Sequence, residues 1–186
     1  MNYTRSYHTT SILTNGKVLV TGGDNGLILN SAEVYDPSTG IWTITGNMNY
    51  TRYYHTASVL INGKVLVIGG YNIVFLNSAE IYHPSTGMWT FTGNMNYVRY
   101  AHTESILTNG TVLITGGYNG AFLNSAELYD PLTGVWAITG NMNYARDIHT
   151  ATILRNGKVL ITRGYGCGCG RGFWFELMWK ATLDTT

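Results

Sequence analysis

A block of 47 residues recurs along the chain with no insertion or deletion, and this fixed period constrains the fold more than any other property. Met1-Asn2-Tyr3-Thr4-Arg5 returns as Met48-Asn49-Tyr50-Thr51-Arg52, as Met95-Asn96-Tyr97-Val98-Arg99 and as Met142-Asn143-Tyr144-Ala145-Arg146. Periods of this length belong to solenoids, propellers and arrays, where a unit that cannot bury its own apolar faces stacks against its neighbours. The same regularity limits function, because near-copies leave few unique residues and asymmetric chemistry usually needs them.

Within one block the turn residues delimit four short strands. His8 to Thr14 is β-branched and apolar and runs into Asn15-Gly16, a strong hairpin signal that predicts a type I′ turn. Lys17 to Thr21 is the return strand, stopped by Gly22-Gly23. Ser31 to Asp36 alternates and ends at Asp36-Pro37-Ser38-Thr39-Gly40, a turn with Pro and Gly at suitable places. Ile41 to Thr45 is the fourth strand. No window shows helical periodicity of useful length. The strands are apolar on both faces, with Val18 and Val20 pointing one way and Leu19 the other. A lone small sheet cannot bury both faces, whereas radially stacked four-stranded blades can.

Composition agrees. Charged residues are 11% of the chain and aromatics 13%, with 23 glycines as punctuation. That is a packed β protein with many turns, neither disordered nor a coiled coil. A net charge of +1 gives no reason to expect a nucleic-acid partner or an anionic membrane surface. No apolar run approaches the roughly 20 residues of a membrane span. No basic region followed by an apolar core opens the chain, so no secretory leader is visible and the cytoplasm is the default compartment. The chain begins in mid-pattern, which predicts a fragment of a longer array. The two cysteines, Cys167 and Cys169, lie outside the repeats, so disulfides and thiolate metal sites are not part of the basic unit.

The spacing Arg5-x-x-His8, an apolar strand into Gly22-Gly23, then Tyr35 and Trp42, resembles the kelch repeat. The set recurs as Arg52, His55, Gly69-Gly70, Tyr82 and Trp89, and again as Arg99, His102, Gly116-Gly117, Tyr129 and Trp136. The resemblance covers residues 1–165. It implies an all-β, kelch-type β-propeller array of about three and a half four-stranded antiparallel blades, as in adaptor proteins and the central domain of galactose oxidase. The full blades are 1–47, 48–94 and 95–141, and 142–165 is a half blade. Each double glycine is expected to allow close backbone approach or positive φ, and each Tyr–Trp pair to fill a seam between blades. Where the fourth copy should show its first glycine the chain has Arg163, and residues 166–186 match no other segment. That stretch is expected to be a poorly ordered tail. Open terminal blades would then favour self-association.

A meander alternates its turns between two ends. The Asn-Gly and Asp-Pro-x-Thr-Gly turns share one face and scarcely vary. The Gly-Gly loop and the linker between blades share the other, and there Asp24, Tyr71, Tyr118 and Tyr165 occupy one variable slot. Ser6-Tyr7, Tyr53-Tyr54, Tyr100-Ala101 and Asp147-Ile148 occupy a second. Variable loops on a rigid scaffold are where binding concentrates, and Tyr and Arg dominate binding hot spots. The candidate partner-binding residues are therefore Arg5, Tyr7, Arg52, Tyr53, Tyr54, Tyr71, Arg99, Tyr100 and Tyr118. A competing reading pairs each Arg with the Glu at a fixed slot, Glu33, Glu80 or Glu127. The recurrent histidines His8, His55, His102 and His149, one per block, are expected to make structural hydrogen bonds rather than to converge on a metal. Asp36-Pro37-Ser38-Thr39-Gly40 reads as a plain turn. The sequons at Asn2, Asn49 and Asn109 read as chance in an Asn- and Thr-rich chain.

No Gly-x-Ser-x-Gly, His-Glu-x-x-His or phosphate-loop pattern occurs, and no cofactor is implied. The copper–tyrosine–cysteine chemistry of galactose oxidase needs a cysteine that the intact blocks lack. The expectation is a non-catalytic scaffold for a protein or peptide partner. The alternative is the propeller portion of a carbohydrate-binding or galactose-oxidase-like enzyme, without an active site of its own.

Overall fold

A computed structural model describes residues 1–166 and the strand Phe175–Met178. The chain divides into two compact units, Met1–Tyr100 and Ala101–Thr186. The described residues hold β-strands and no helix, so none contains a helix long and apolar enough to cross a membrane.

The first unit has two four-stranded antiparallel meanders. One runs β1 (Thr9–Ile12), β2 (Val18–Thr21), β3 (Ala32–Asp36), β4 (Ile41–Ile44); the other runs β5 (Thr56–Val59), β6 (Val65–Ile68), β7 (Ala79–His83), β8 (Met88–Phe91). The second unit repeats the meander as β9 (Thr103–Ile106), β10 (Val112–Thr115), β11 (Ala126–Asp130) and β12 (Val135–Thr139). It adds a three-stranded sheet of β13 (Thr150–Ile153), β14 (Val159–Thr162) and β15 (Phe175–Met178). Register is copied from sheet to sheet. Val18 faces Tyr35 as Val65 faces Tyr82 and Val112 faces Tyr129. The expected blades are therefore present, and the fourth sheet has a third strand beyond the expected half blade, formed by residues that match no repeat. The other residues of the expected tail, 167–174 and 179–186, lie outside the described ones.

The hairpin at Asn15-Gly16 differs from its sequence reading. Only Gly16 has positive φ, at 79°, whereas a type I′ turn needs both central residues there. The Asn15 side chain instead accepts the Lys17 amide at 3.1 Å, and the Gly16 amide bonds the Leu13 carbonyl at 2.9 Å. An Asn that can bond the backbone two residues on favours this longer loop with a single left-handed glycine. The strands are shortened accordingly, β1 ending at Ile12.

Apolar faces bury each other within each unit. In the first, Leu13, Leu19 and Ala32 of one module pack with Met48, Val65, Val67, Tyr82 and Trp89 of the next. In the second, Leu113, Leu128 and Met142 pack with Val159 and Ile161. Burying a side chain of this size contributes about 1.5–3 kcal/mol. The seam in the first unit is also polar. Trp89 Nε1 donates to the Gly46 carbonyl at 2.8 Å, and Thr45 Oγ1 lies 2.9 Å from the Tyr82 hydroxyl. The His55 imidazole Nε2 reaches Thr9 at 2.9 Å and Thr21 at 3.3 Å in the preceding module. His149 repeats this with Thr103 and Thr115 at 2.8 and 3.0 Å. These histidines fasten modules together. Among the described residues no group of three or more His, Cys, Asp or Glu side chains is arranged to hold a metal ion.

Both glycines of the pair are required sterically. A Cβ on Gly22, at φ +60°, would stand 2.5 Å from the Arg52 carbonyl and 2.8 Å from the His55 ring. On Gly23, at φ +96°, it would stand 2.5 Å from the Ser6 carbonyl. The backbone of the next linker runs directly over this strand end.

Candidate functional site

The two variable slots come together as backbone bridges. Ser6 and Asp24 exchange amide hydrogen bonds at 2.8 and 2.9 Å, Tyr53 and Tyr71 at 3.2 and 3.0 Å, and Asp147 and Tyr165 at 2.9 and 3.0 Å. Each bridge sets a linker residue beside a Gly-Gly-loop residue on one face. The residue after the linker slot is left-handed in all four copies: Tyr7 at φ 54°, Tyr54 at 51°, Ala101 at 52° and Ile148 at 46°. Such a conformation is uncommon outside glycine. Its recurrence with unrelated side chains marks a backbone requirement. In the first unit the Tyr7 carbonyl accepts the Tyr54 amide at 3.2 Å, and in the second the Ala101 carbonyl accepts the Ile148 amide at 2.9 Å.

This backbone carries a continuous aromatic array in the first unit. Tyr7 stacks on Tyr54 with centroids 4.3 Å apart, and Tyr54 meets Tyr100 edge-on at 5.6 Å. Tyr53 meets Tyr71 at 5.7 Å, Tyr71 meets Phe75 at 5.4 Å, and Phe75 stacks on Tyr100 at 5.6 Å with 17° between planes. Tyr7 is 54% exposed, and Tyr53, Tyr54, Tyr71 and Tyr100 are half-buried. Burial, and then the adjoining Tyr7 hydroxyl, pushes the Tyr54 phenol up to about 12. Burial, and then Tyr71 and Asp24, raises Tyr53. Tyr53 and Tyr54 are thus held neutral, and the ring faces of the array are partly open to solvent. In the second unit Tyr118 packs edge-on to Phe122 at 5.4 Å.

The arginines are placed differently from the partner-facing position proposed for them. Arg5 is 8% exposed and Arg52 and Arg99 are 0%, so none presents its guanidinium to a partner. Arg52 bonds the carbonyls of Gly69 and Ser78 at 2.7 and 3.2 Å and the Glu80 carboxylate at 2.8 Å. Arg5 does the same with Gly22, Ser31 and Glu33. The carboxylates reach back to the linker. Glu80 accepts the Asn49 amide at 2.7 Å, its side chain at 2.8 Å and the Tyr50 amide at 3.1 Å. Burial pushes the Glu33 carboxyl up, but the Asn2 amide, the Arg5 guanidinium and the Tyr3 amide outweigh it, leaving the group below its ordinary value. These pairs hold the linker that displays the tyrosines. They also occupy the Asn49 side chain of one sequon; in another, Asn109 accepts from Thr111. Phe75 joins the array although its sequence position gave no sign of it. The signal was only its place four residues after Tyr71, across the loop bridge.

Repeated antiparallel four-stranded sheets, packed face to face and pinned by Arg–Glu, His–Thr and Trp–carbonyl contacts, define blades of a β-propeller. The chain belongs to the Kelch motif family, which it matches over residues 5–49, 52–96 and 99–143. Among curated proteins none matches the sequence. Two solved structures share the fold. A fungal alcohol oxidase of the AA5 family, in complex with copper, is 18% identical with a TM-score of 0.65, over 97% of this chain and 53% of that one. YjhT is 17% identical with a TM-score of 0.77, over 93% of this chain and 66% of that one. The chain therefore spans about half to two thirds of the length of these relatives in fold.

Proposed function

We propose that this chain is a non-catalytic interaction module that takes a protein or peptide partner on its linker and Gly-Gly-loop face. Kelch repeats generally mediate protein–protein interaction, which supports the reading. The observation that carries it is the tyrosine array: Tyr7, Tyr53, Tyr54, Tyr71 and Tyr100 form one ring-to-ring patch on rigid, doubly bridged backbone. Tyrosine supplies large amphipathic contact area at little entropic cost, and it is enriched where partners bind most tightly. The buried arginines act beneath this surface as supports.

The main reading is tested by partner capture with wild type and with Tyr54→Ala/Tyr71→Ala. Partners should be lost from the double variant while its melting temperature stays within a few degrees. Partners retained by the double variant would overturn it.

A further inference from the structure

The second module departs from its sister modules at the outer groove between its linker, its Gly-Gly loop and the end of β8. The groove has a volume of about 560 Å³ and is walled by Tyr50, Phe75 and Phe91 and by the amides of Asn72, Asn77 and Asn94. Two departures converge on it and a third stands at its rim. At the rim, Ile73 holds φ 87°, where the other modules have Gly26 at 99° and Gly120 at 108°. A β-branched residue in this region is a true outlier, and such strain concentrates at functional positions. Next, the loop asparagine is released. Asn25 and Asn119 turn their side-chain oxygens onto the amides of Leu27 and Ala121 at 3.3 and 3.4 Å, but Asn72 makes no such bond. Finally, Phe91 stands where the other modules have Ile44 and Ile138, and it meets Tyr50 edge-on at 5.6 Å.

We infer that this groove binds a neutral saccharide ring. A pyranose offers flat faces of C–H groups, which lie against aromatic rings, and a rim of hydroxyls that both donate and accept. Aromatic walls answer the first and carboxamides the second, since each amide carries two donors and an acceptor oxygen. Asn77 spends its NH₂ group on the Met95 carbonyl at 3.0 Å and keeps its oxygen; Asn72 and Asn94 keep both groups. No charged residue lines the groove. A phosphate-bearing ligand would need a cation there, and a charged peptide side chain a counter-charge. A purely apolar anchor would leave three amides without partners, a costly arrangement once water is excluded. The volume falls within the roughly 300–1,000 Å³ of small-molecule sites. The groove shares Phe75 with the aromatic array but none of its tyrosines, so substitutions outside Phe75 separate this inference from the proposed partner face.

The test is equilibrium titration of the whole chain with cellohexaose, maltohexaose, xylohexaose and β-1,4-galactohexaose, each to about 10 mM, beyond the millimolar range of weak binding. At least one should bind saturably. Phe91→Ile, which installs the residue of the sister modules, and Asn72→Ala should each weaken it at least about tenfold with melting temperatures unchanged. Tyr54→Ala should leave it intact. No saturable binding by any of the four sugars, binding indifferent to both groove substitutions, or capture of an uncharged peptide by the groove instead would overturn the assignment.

Discussion

Arg52 and Glu80 form an ion pair at 2.8 Å in which neither side chain has any exposure to solvent. Two carbonyls also accept from the guanidinium and two linker amides donate to the carboxylate, so the pair joins the end of β6 and β7 to the linker that precedes them. Arg52→Met strands a buried carboxylate and should cost about 3–5 kcal/mol. Arg52→Met/Glu80→Leu should recover much of that loss, because two apolar groups of similar volume leave no orphan charge. Chemical denaturation of the wild type and the two variants measures both numbers. Tyr50, Tyr53 and Tyr54 follow from this linker, so the single variant should also loosen the aromatic face.

Trp89 is 9% exposed and bonds the Gly46 carbonyl, whereas Trp42 and Trp136 are only half-buried. Trp89→Ala should therefore be the most damaging of the three truncations, at about 3–5 kcal/mol. Thermal melts of the three alanine variants rank them directly. An equal loss for Trp42→Ala would show that the seam between the first two modules is not what sets the order.

The fastening histidines make stability depend on pH. Burial, and then the Arg146 charge, lowers His149 from its ordinary 6.5 to about 4, and burial holds His55 well below 6.5. The unfolded imidazole takes a proton below about 6.5 and the folded one resists, so stability is full above that pH and falls as pH drops. For His149 the loss accrues at about 1.4 kcal/mol per pH unit until the folded group itself titrates. His149→Gln should flatten that part of the slope between pH 6.5 and 4, read as unfolding free energy against pH.

Ile73 offers a gain rather than a loss. Glycine at this position would adopt φ 87° without a Cβ clash, as Gly26 and Gly120 do at 99° and 108°. Ile73→Gly should raise stability by about 1 kcal/mol, the left-handed penalty less the entropy glycine returns to the unfolded chain. A scanning calorimetry trace shifted downward would mean that the exposed side chain makes contacts outweighing its backbone cost.

Much of this was legible in the residues themselves. The period fixed which strands would repeat, and the Tyr35–Trp42 spacing set them opposite each other across one β-ladder. Glu33 and Glu80 at a constant distance from Arg5 and Arg52 already suggested their pairing. The Asn15-Gly16 turn was misjudged because the dipeptide does not reveal whether the Asn side chain will bond the backbone. The contacts of His55 with Thr9 and Thr21 cross 46 and 34 residues and belong to no local pattern. The groove was hidden for the same reason: Tyr50, Asn72 and Phe91 are neighbours only after two turns of the meander have folded. The strand Phe175–Met178 pairs with β14 in a segment that shares nothing with the repeat, so no period could announce it.

Gly46 lies at the end of one module, yet its carbonyl holds the indole of the next, and its amide bonds Gly87 there at 3.0 Å. A fault at such a position is inherited downstream: the module that carries the altered residue keeps its own ladder, while its successor loses its anchorage. Boundaries drawn at the sequence period therefore cut through these joints, and an excised or grafted module needs the last Thr-Gly of its predecessor to stand as it does here.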